Sequence, residues 1–136
     1  MRSLLQILTL LAASAIYWTQ SPERNQGTLS IELIDAATQQ SLPGLISLRN
    51  EQGQLERLPG LLPRGLGLDA NGPIHDWFVV RDQITPLKLP AGKYQLKALS
   101  GIETRQAEHV VEVVAGESRQ LRVPLTRFYH AEANGR

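Results

Sequence analysis

Apolar residues recur at every second position through most of the chain. In residues 28–35, Leu29, Ile31 and Leu33 alternate with Ser30 and Glu32. In residues 93–99, Tyr94, Leu96 and Ala98 alternate with Lys93, Gln95 and Lys97. In residues 119–125, Leu121, Val123 and Leu125 alternate with Gln120, Arg122 and Pro124. A period of two sends successive side chains to opposite faces of a sheet, so each segment is predicted to be a strand with one buried and one wet face. Residues 45–49, 75–80, 85–89 and 109–114 are further strand candidates, and 54–58 a weaker one. Turn signals separate them: Leu42-Pro43-Gly44, Glu51-Gln52-Gly53, Asn71-Gly72-Pro73, Pro90-Ala91-Gly92 and Ala115-Gly116-Glu117. No segment past the N-terminal region shows the 3.6-residue period of an amphipathic helix. The expected fold is all-β: an antiparallel, seven-stranded, Greek-key-like β-sandwich. Pro124 cannot donate to a ladder, so either its strand lies at an edge or the proline sits at the end of the ladder.

One stretch breaks the rhythm. Residues 59–74 (PGLLPRGLGLDANGPI) hold four glycines and three prolines, with Leu61, Leu62, Leu66 and Leu68 among them. A loop of that length in a compact domain tends to be functional or disordered, and its leucines predict that it folds back on the sandwich or docks on a partner. Directly after it, Trp77 and Phe78 are adjacent in a predicted strand, so one points to the core and the other is either exposed or covered by the 59–74 loop. At the other end, Phe128 and Tyr129 follow the last strand and are candidates for docking. The expected interaction surface is therefore Leu61, Leu62, Leu66, Leu68, Trp77, Phe128 and Tyr129.

The N-terminus has a different grammar. Arg2 gives a positive start, residues 4–12 (LLQILTLLA) form a short apolar run, and Ala13-Ser14-Ala15 is a small-x-small pattern. Together these predict a secretory signal peptide over residues 1–15, helical in its apolar part. The apolar run is shorter than the ~20 residues a membrane span requires, so membrane contact is expected only through this segment if it stays uncleaved. A polar leader (16–26), the sandwich (27–126) and a C-terminal tail or linker (127–136) complete the predicted organisation. The expected location is secreted, periplasmic or cell-surface.

Composition narrows the chemistry. Fourteen Lys and Arg against thirteen Asp and Glu give a net charge of +1, with no basic footprint for nucleic acid. Cleavage after Ala15 would remove Arg2, and with it the excess charge. Without cysteine the chain has no disulfide, thiolate metal site or Cys nucleophile. His75, His109 and His130 are widely spaced and form no ligand pair of metal-site spacing. Asp69-Ala70-Asn71-Gly72 begins like a calcium loop but lacks the later acidic ligands, and an Asn-Gly turn accounts for it. Gly65-Leu66-Gly67 lacks the third glycine of a phosphate cradle. No serine sits in a Gly-x-Ser-x-Gly elbow. The sequence predicts no catalytic residue, cofactor or metal.

Two motifs carry a resemblance. Residues 31–48, with Asp35-Ala36-Ala37-Thr38 followed by Leu42-Pro43-Gly44, and the later Leu89-Pro90-Ala91-Gly92-Lys93-Tyr94-Gln95-Leu96 are similar to the first turn and a later hairpin of carboxypeptidase-regulatory-like (transthyretin-like, prealbumin-like) β-sandwich domains. In those motifs proline presets φ and glycine supplies a positive φ. A narrower likeness, in Gly101-Ile102-Glu103-Thr104-Arg105, residues 112–117 and Leu125-Thr126-Arg127-Phe128, is to the accessory domain that precedes CehA/McbA-type metallohydrolases of the PHP fold. The chain has none of the His-x-His that would follow there, so no metal or catalytic residue carries over.

The expected function is thus an exported, non-catalytic accessory module that contacts a protein or polysaccharide partner. A carbohydrate-binding domain and the N-terminal fragment of a secreted PHP-type metallohydrolase are the alternatives. Glycan binding lost on Trp77→Ala would mark the first. An in-frame His-x-His downstream of Arg136 would mark the second.

Overall fold

The computed structural model describes residues 25–65, 73–82 and 84–128. The predicted signal segment, Leu66, Leu68, Tyr129 and His130 lie outside them. Eight strands form two packed sheets: β1 (Gln26–Asp35), β2 (Gly44–Asn50), β3 (Leu62–Pro63), β4 (Phe78–Val80), β5 (Thr85–Pro90), β6 (Gly92–Leu99), β7 (Ala107–Val113) and β8 (Ser118–Leu125). One sheet has the order β5-β1-β8, the other β3-β4-β2-β6-β7. The all-β sandwich expected from the alternation is what the chain forms.

The alternation also sets the core. Leu29, Ile31 and Leu33 of β1 face Ile46 and Leu48 of β2 and Leu96 and Ala98 of β6, all essentially sealed from solvent. Tyr94 joins them, and its hydroxyl donates to the Pro90 carbonyl oxygen at 2.6 Å. Burial pushes the Tyr94 phenol up from its ordinary pKa, and the nearby Glu56 carboxylate adds to the shift.

Four details differ from the sequence expectation, each for a local reason. First, β1 and β8 run parallel, whereas every other named pairing is antiparallel. The turn after β7 carries the chain across to the other sheet and sets it down beside the start of β1, where Gly116 N donates to Gln26 O and Thr28 N to Glu117 O. From there β8 can only run with β1. Pro124 does lie on an edge strand, since β8 has β1 as its single sheet neighbour.

Second, residues 54–58 form no strand. The chain leaves β2 in a tight turn in which Asn50 Oδ1 accepts the N–H groups of Gln52 and Gln54. Leu55 then makes one bridge with Arg49, and Leu58 dives into the core. Third, the candidate strand 75–80 is split. Pro73–Asp76 is a turn of 3-10 helix, suited to a proline-fixed φ, and the strand starts only at Phe78. Ahead of both in the chain, Leu62–Pro63 pairs with β4, adding an eighth strand inside the segment expected to be a loop.

Fourth, Leu42-Pro43-Gly44 forms no turn, Pro90-Ala91-Gly92 carries the chain from one sheet to the other instead of closing a hairpin, and the two glycines work differently. Gly92 takes the positive φ (154°) expected of it. Gly44 does not; it is needed for close approach, because a Cβ there would fall 2.4 Å from the Leu99 carbonyl oxygen.

Candidate interaction surfaces

Consecutive apolar residues expose a face that strict alternation would have kept polar. Ile46, Phe78, Val80 and Ala98 point into the core, so their neighbours Leu45, Val79 and Leu99 point outward. The register joins these across the sheet: Leu62 opposes Val79, Val79 opposes Leu45, and Leu45 opposes Leu99. The result is an apolar row spanning β3, β4, β2 and β6 on the outer face of the five-stranded sheet. Leu45, Val79 and Leu99 are half-buried, and Leu62 at the open end is 55% exposed. Trp77 sits just before β4, half-buried, and its carbonyl accepts the Arg64 N–H at 2.8 Å.

A groove of about 740 Å³ opens near β3 and β4, lined by none of the four residues of the row. Leu55, Leu58, Leu61 and Phe78 form its apolar base, and Arg57, His75 and Asp76 stand on its walls. Arg49 Nη2 holds Asp76 Oδ2 at 2.7 Å, so that carboxylate is already neutralised. The groove offers shape and apolar area rather than a proton-transfer pair. Among the described residues no three His, Cys, Asp or Glu side chains converge as metal ligands would.

The other charged groups hold the ends of strands. Asp35 closes β1, where its Oδ1 accepts the N–H groups of Ala37 (2.8 Å) and Thr38 (3.2 Å), and its Oδ2 lies 2.9 Å from Arg127 Nε. The Nε–H is not aimed at that oxygen, so the contact is charge pairing rather than an aligned hydrogen bond. The two backbone donors, then the Arg127 guanidinium, hold the Asp35 carboxyl below its ordinary pKa. Glu32 is likewise lowered, first by the Ser41 hydroxyl that donates to it and then by Arg122, whose Nε lies 3.1 Å away. These pairs latch chain segments together.

Of the surface residues the sequence singled out, Leu61 packs half-buried against the core, Leu62 is exposed, Trp77 is half-buried and Phe128 is exposed. Phe78, not Trp77, is the core member of the aromatic pair. The structure brings Leu62 and Trp77 to the β3–β4 side of the sandwich. It sets Phe128 apart, bonded through its N–H to the Glu103 carbonyl oxygen in the turn before β7. Leu45, Val79 and Leu99 were not singled out. The signal for them is in the sequence: Leu45-Ile46, Val79-Val80 and Ala98-Leu99 are adjacent apolar pairs, and one member of such a pair in a strand must face outward.

The fold is similar to single domains of larger bacterial proteins. GBS52, the minor pilin of Streptococcus agalactiae, matches 78% of this chain at 14% identity with a TM-score of 0.56. The Bacillus anthracis TIE protein matches 75% at 20% identity with a TM-score of 0.53. The group B streptococcus pilus 2b backbone protein matches 80% at 19% identity with a TM-score of 0.50. The chain spans 46%, 17% and 43% of those proteins respectively. Neither a protein-family model nor a curated protein sequence matches the chain.

Proposed function

We propose that the chain is an exported, non-catalytic β-sandwich module that binds another protein through the outer face of its five-stranded sheet. The observation that carries this is the apolar row Leu62–Val79–Leu45–Leu99 beside Trp77, since apolar area held on a sheet's solvent face marks a contact site. Two further facts support it. The charged side chains with lowered pKa values, Glu32 and Asp35, are engaged in structural pairs. Two of the similar structures are a minor pilin and a pilus backbone protein, which are surface components and favour an extracellular setting. The signal-like N-terminus points the same way. The carboxypeptidase-regulatory-like assignment rests on two sequence motifs, of which the first turns at residues 36–38 and the second passes from β5 in one sheet to β6 in the other.

Site-specific photo-crosslinking tests the proposal. A crosslinking residue at position 62 or 79, in the chain expressed in its own cell, should give a discrete adduct that one at Lys88 on the opposite sheet does not. Equal adducts from all three positions, or none from 62 and 79, would overturn it. A carbohydrate ligand is favoured by one observation, the partly exposed Trp77 ring, which could stack on a sugar. Glycan binding lost on Trp77→Ala and retained on Leu62→Glu would select that reading.

A further inference from the structure

The sandwich has four sheet edges among its described residues, and three of them are blunted with proline. β5 carries Pro86 and Pro90, β8 carries Pro124, and the two-residue β3 carries Pro63. Proline on an edge strand removes the outward N–H that an added strand would need, a common defence against edge-to-edge pairing. β7 has none across its seven residues.

Its outward peptide groups can be assigned. Arg119 Nη1 donates to the Glu112 carbonyl oxygen at 3.5 Å, so that carbonyl faces away from β6. Residues of the same parity share the orientation, which turns the N–H and C=O of Glu108 and Val110 toward solvent.

Apolar side chains are exposed on β7 and beyond each of its ends: Val110 is 78% exposed, Ile102 in the turn before β7 is 92% exposed, and Val114 is exposed just past the strand. On the solvent face of the sheet, Glu108 and Glu112 flank Val110. They stand across from Lys97, Lys93 and Gln95 of β6 respectively, with Lys97 Nζ 3.7 Å from Glu108 Oε1.

The geometry points to β7 as a strand-addition site for an extended protein segment that carries Lys or Arg at positions i and i+4 around an apolar residue at i+2. Such a strand would pair its backbone with Glu108 and Val110 and set its two cations beside Glu108 and Glu112, continuing the alternating-sign ladder begun by β6. Like charges directly opposed across strands are destabilising. A second copy of β7, paired antiparallel about Val110, would place Glu108 against Glu112 and is disfavoured. The partner is therefore a basic segment of another protein, at a surface distinct from the outer-face row.

The test uses the full chain and two capped heptapeptides of sequence TKTVTKT and TETVTET. The basic peptide should bind saturably, at least tenfold tighter than the acidic one, and slow amide exchange at Glu108 and Val110. Val110→Pro, which removes an N–H that β6 does not use, should weaken the basic peptide at least tenfold with the thermal transition kept. Glu108→Lys with Glu112→Lys should invert the preference, and this decides the matter if the proline variant does not fold. Equal binding of the two peptides, no saturable binding of the basic one up to millimolar concentration, or a preference that survives the charge reversal would overturn the site.

Discussion

Arg127, two residues past the end of β8, places its Nε 2.9 Å from Oδ2 of Asp35, the last residue of β1. The same guanidinium reaches Glu103 Oε2 at 3.5 Å, in the turn before β7. One cation thus ties the exit of the last strand to the end of the first and to the connection between two strands of the opposite sheet. Because β1 and β8 are parallel, both finish at this end of the sandwich, which is what brings the pair together.

The Asp35 carboxyl titrates lower in the folded chain than in the unfolded one. Its contribution to stability is present above the unfolded pKa, about 4, and is lost as pH falls through the folded value. Asp35→Asn should therefore be less stable than the parent chain at pH 7, with the gap closing on acidification below pH ~4. Chemical denaturation at a series of pH values checks this, and a gap unchanged down to pH ~2 would contradict it. Glu32→Gln should show a weaker version, since Glu32 ties Ser41 and Arg122 at a more exposed position.

Tyr94 behaves in the opposite sense at high pH. Its folded pKa is raised, so stability is held below the unfolded value of about 10 and declines as pH rises above it. Tyr94→Phe should remove that alkaline decline. At neutral pH it should cost about 0.5–1.5 kcal/mol for the lost bond to the Pro90 carbonyl oxygen. Thermal melts at pH 7 and pH 11 separate the two effects.

Leu96 stands in β6 between Leu48 of β2 and His109 of β7 and is fully sealed. Leu96→Ala removes its apolar contacts and leaves a cavity that flanking strands cannot close, and should cost about 2–5 kcal/mol. With no cysteine in the chain, no disulfide offsets such a loss. Urea denaturation midpoints provide the measurement.

Gly44→Ala should also destabilise, by about 1–3 kcal/mol, as an overpacking change. Its new methyl would meet the Leu99 carbonyl oxygen at 2.4 Å and the Leu33 Cδ1 at 2.6 Å. Gly53→Ala is a useful contrast: no atom lies within 4 Å of the added Cβ, and the cost there comes from its φ of 74° alone. If the Gly44 variant melts with the parent chain, the close approach is not a real constraint.

How much of this was legible beforehand follows from the range of each interaction. Leu29, Ile31, Leu33, Tyr94, Leu96 and Ala98 declare their buried face by period alone, because a strand's pleat is local. The positive φ of Gly92 in Pro90-Ala91-Gly92 is equally local. The split of 75–80 was not legible, since His75 and Asp76 read as strand until Arg49, twenty-seven residues earlier, is seen to hold Asp76. Nor was the bond joining Phe128 to Glu103, which needs the end of β8 to cross toward the other sheet.

The order of apolar and polar residues determined an all-β chain, its long strands and the inward face of each. It also carried, in Leu45-Ile46, Val79-Val80 and Ala98-Leu99, the fact that some apolar side chains must face out. Only the tertiary structure decided that these outward residues share one row with Leu62, that β8 lies parallel to β1, and that β7 is the edge left without proline. The reason is physical: alternation is a property of one strand, whereas row, register and edge belong to pairings between segments far apart in the chain.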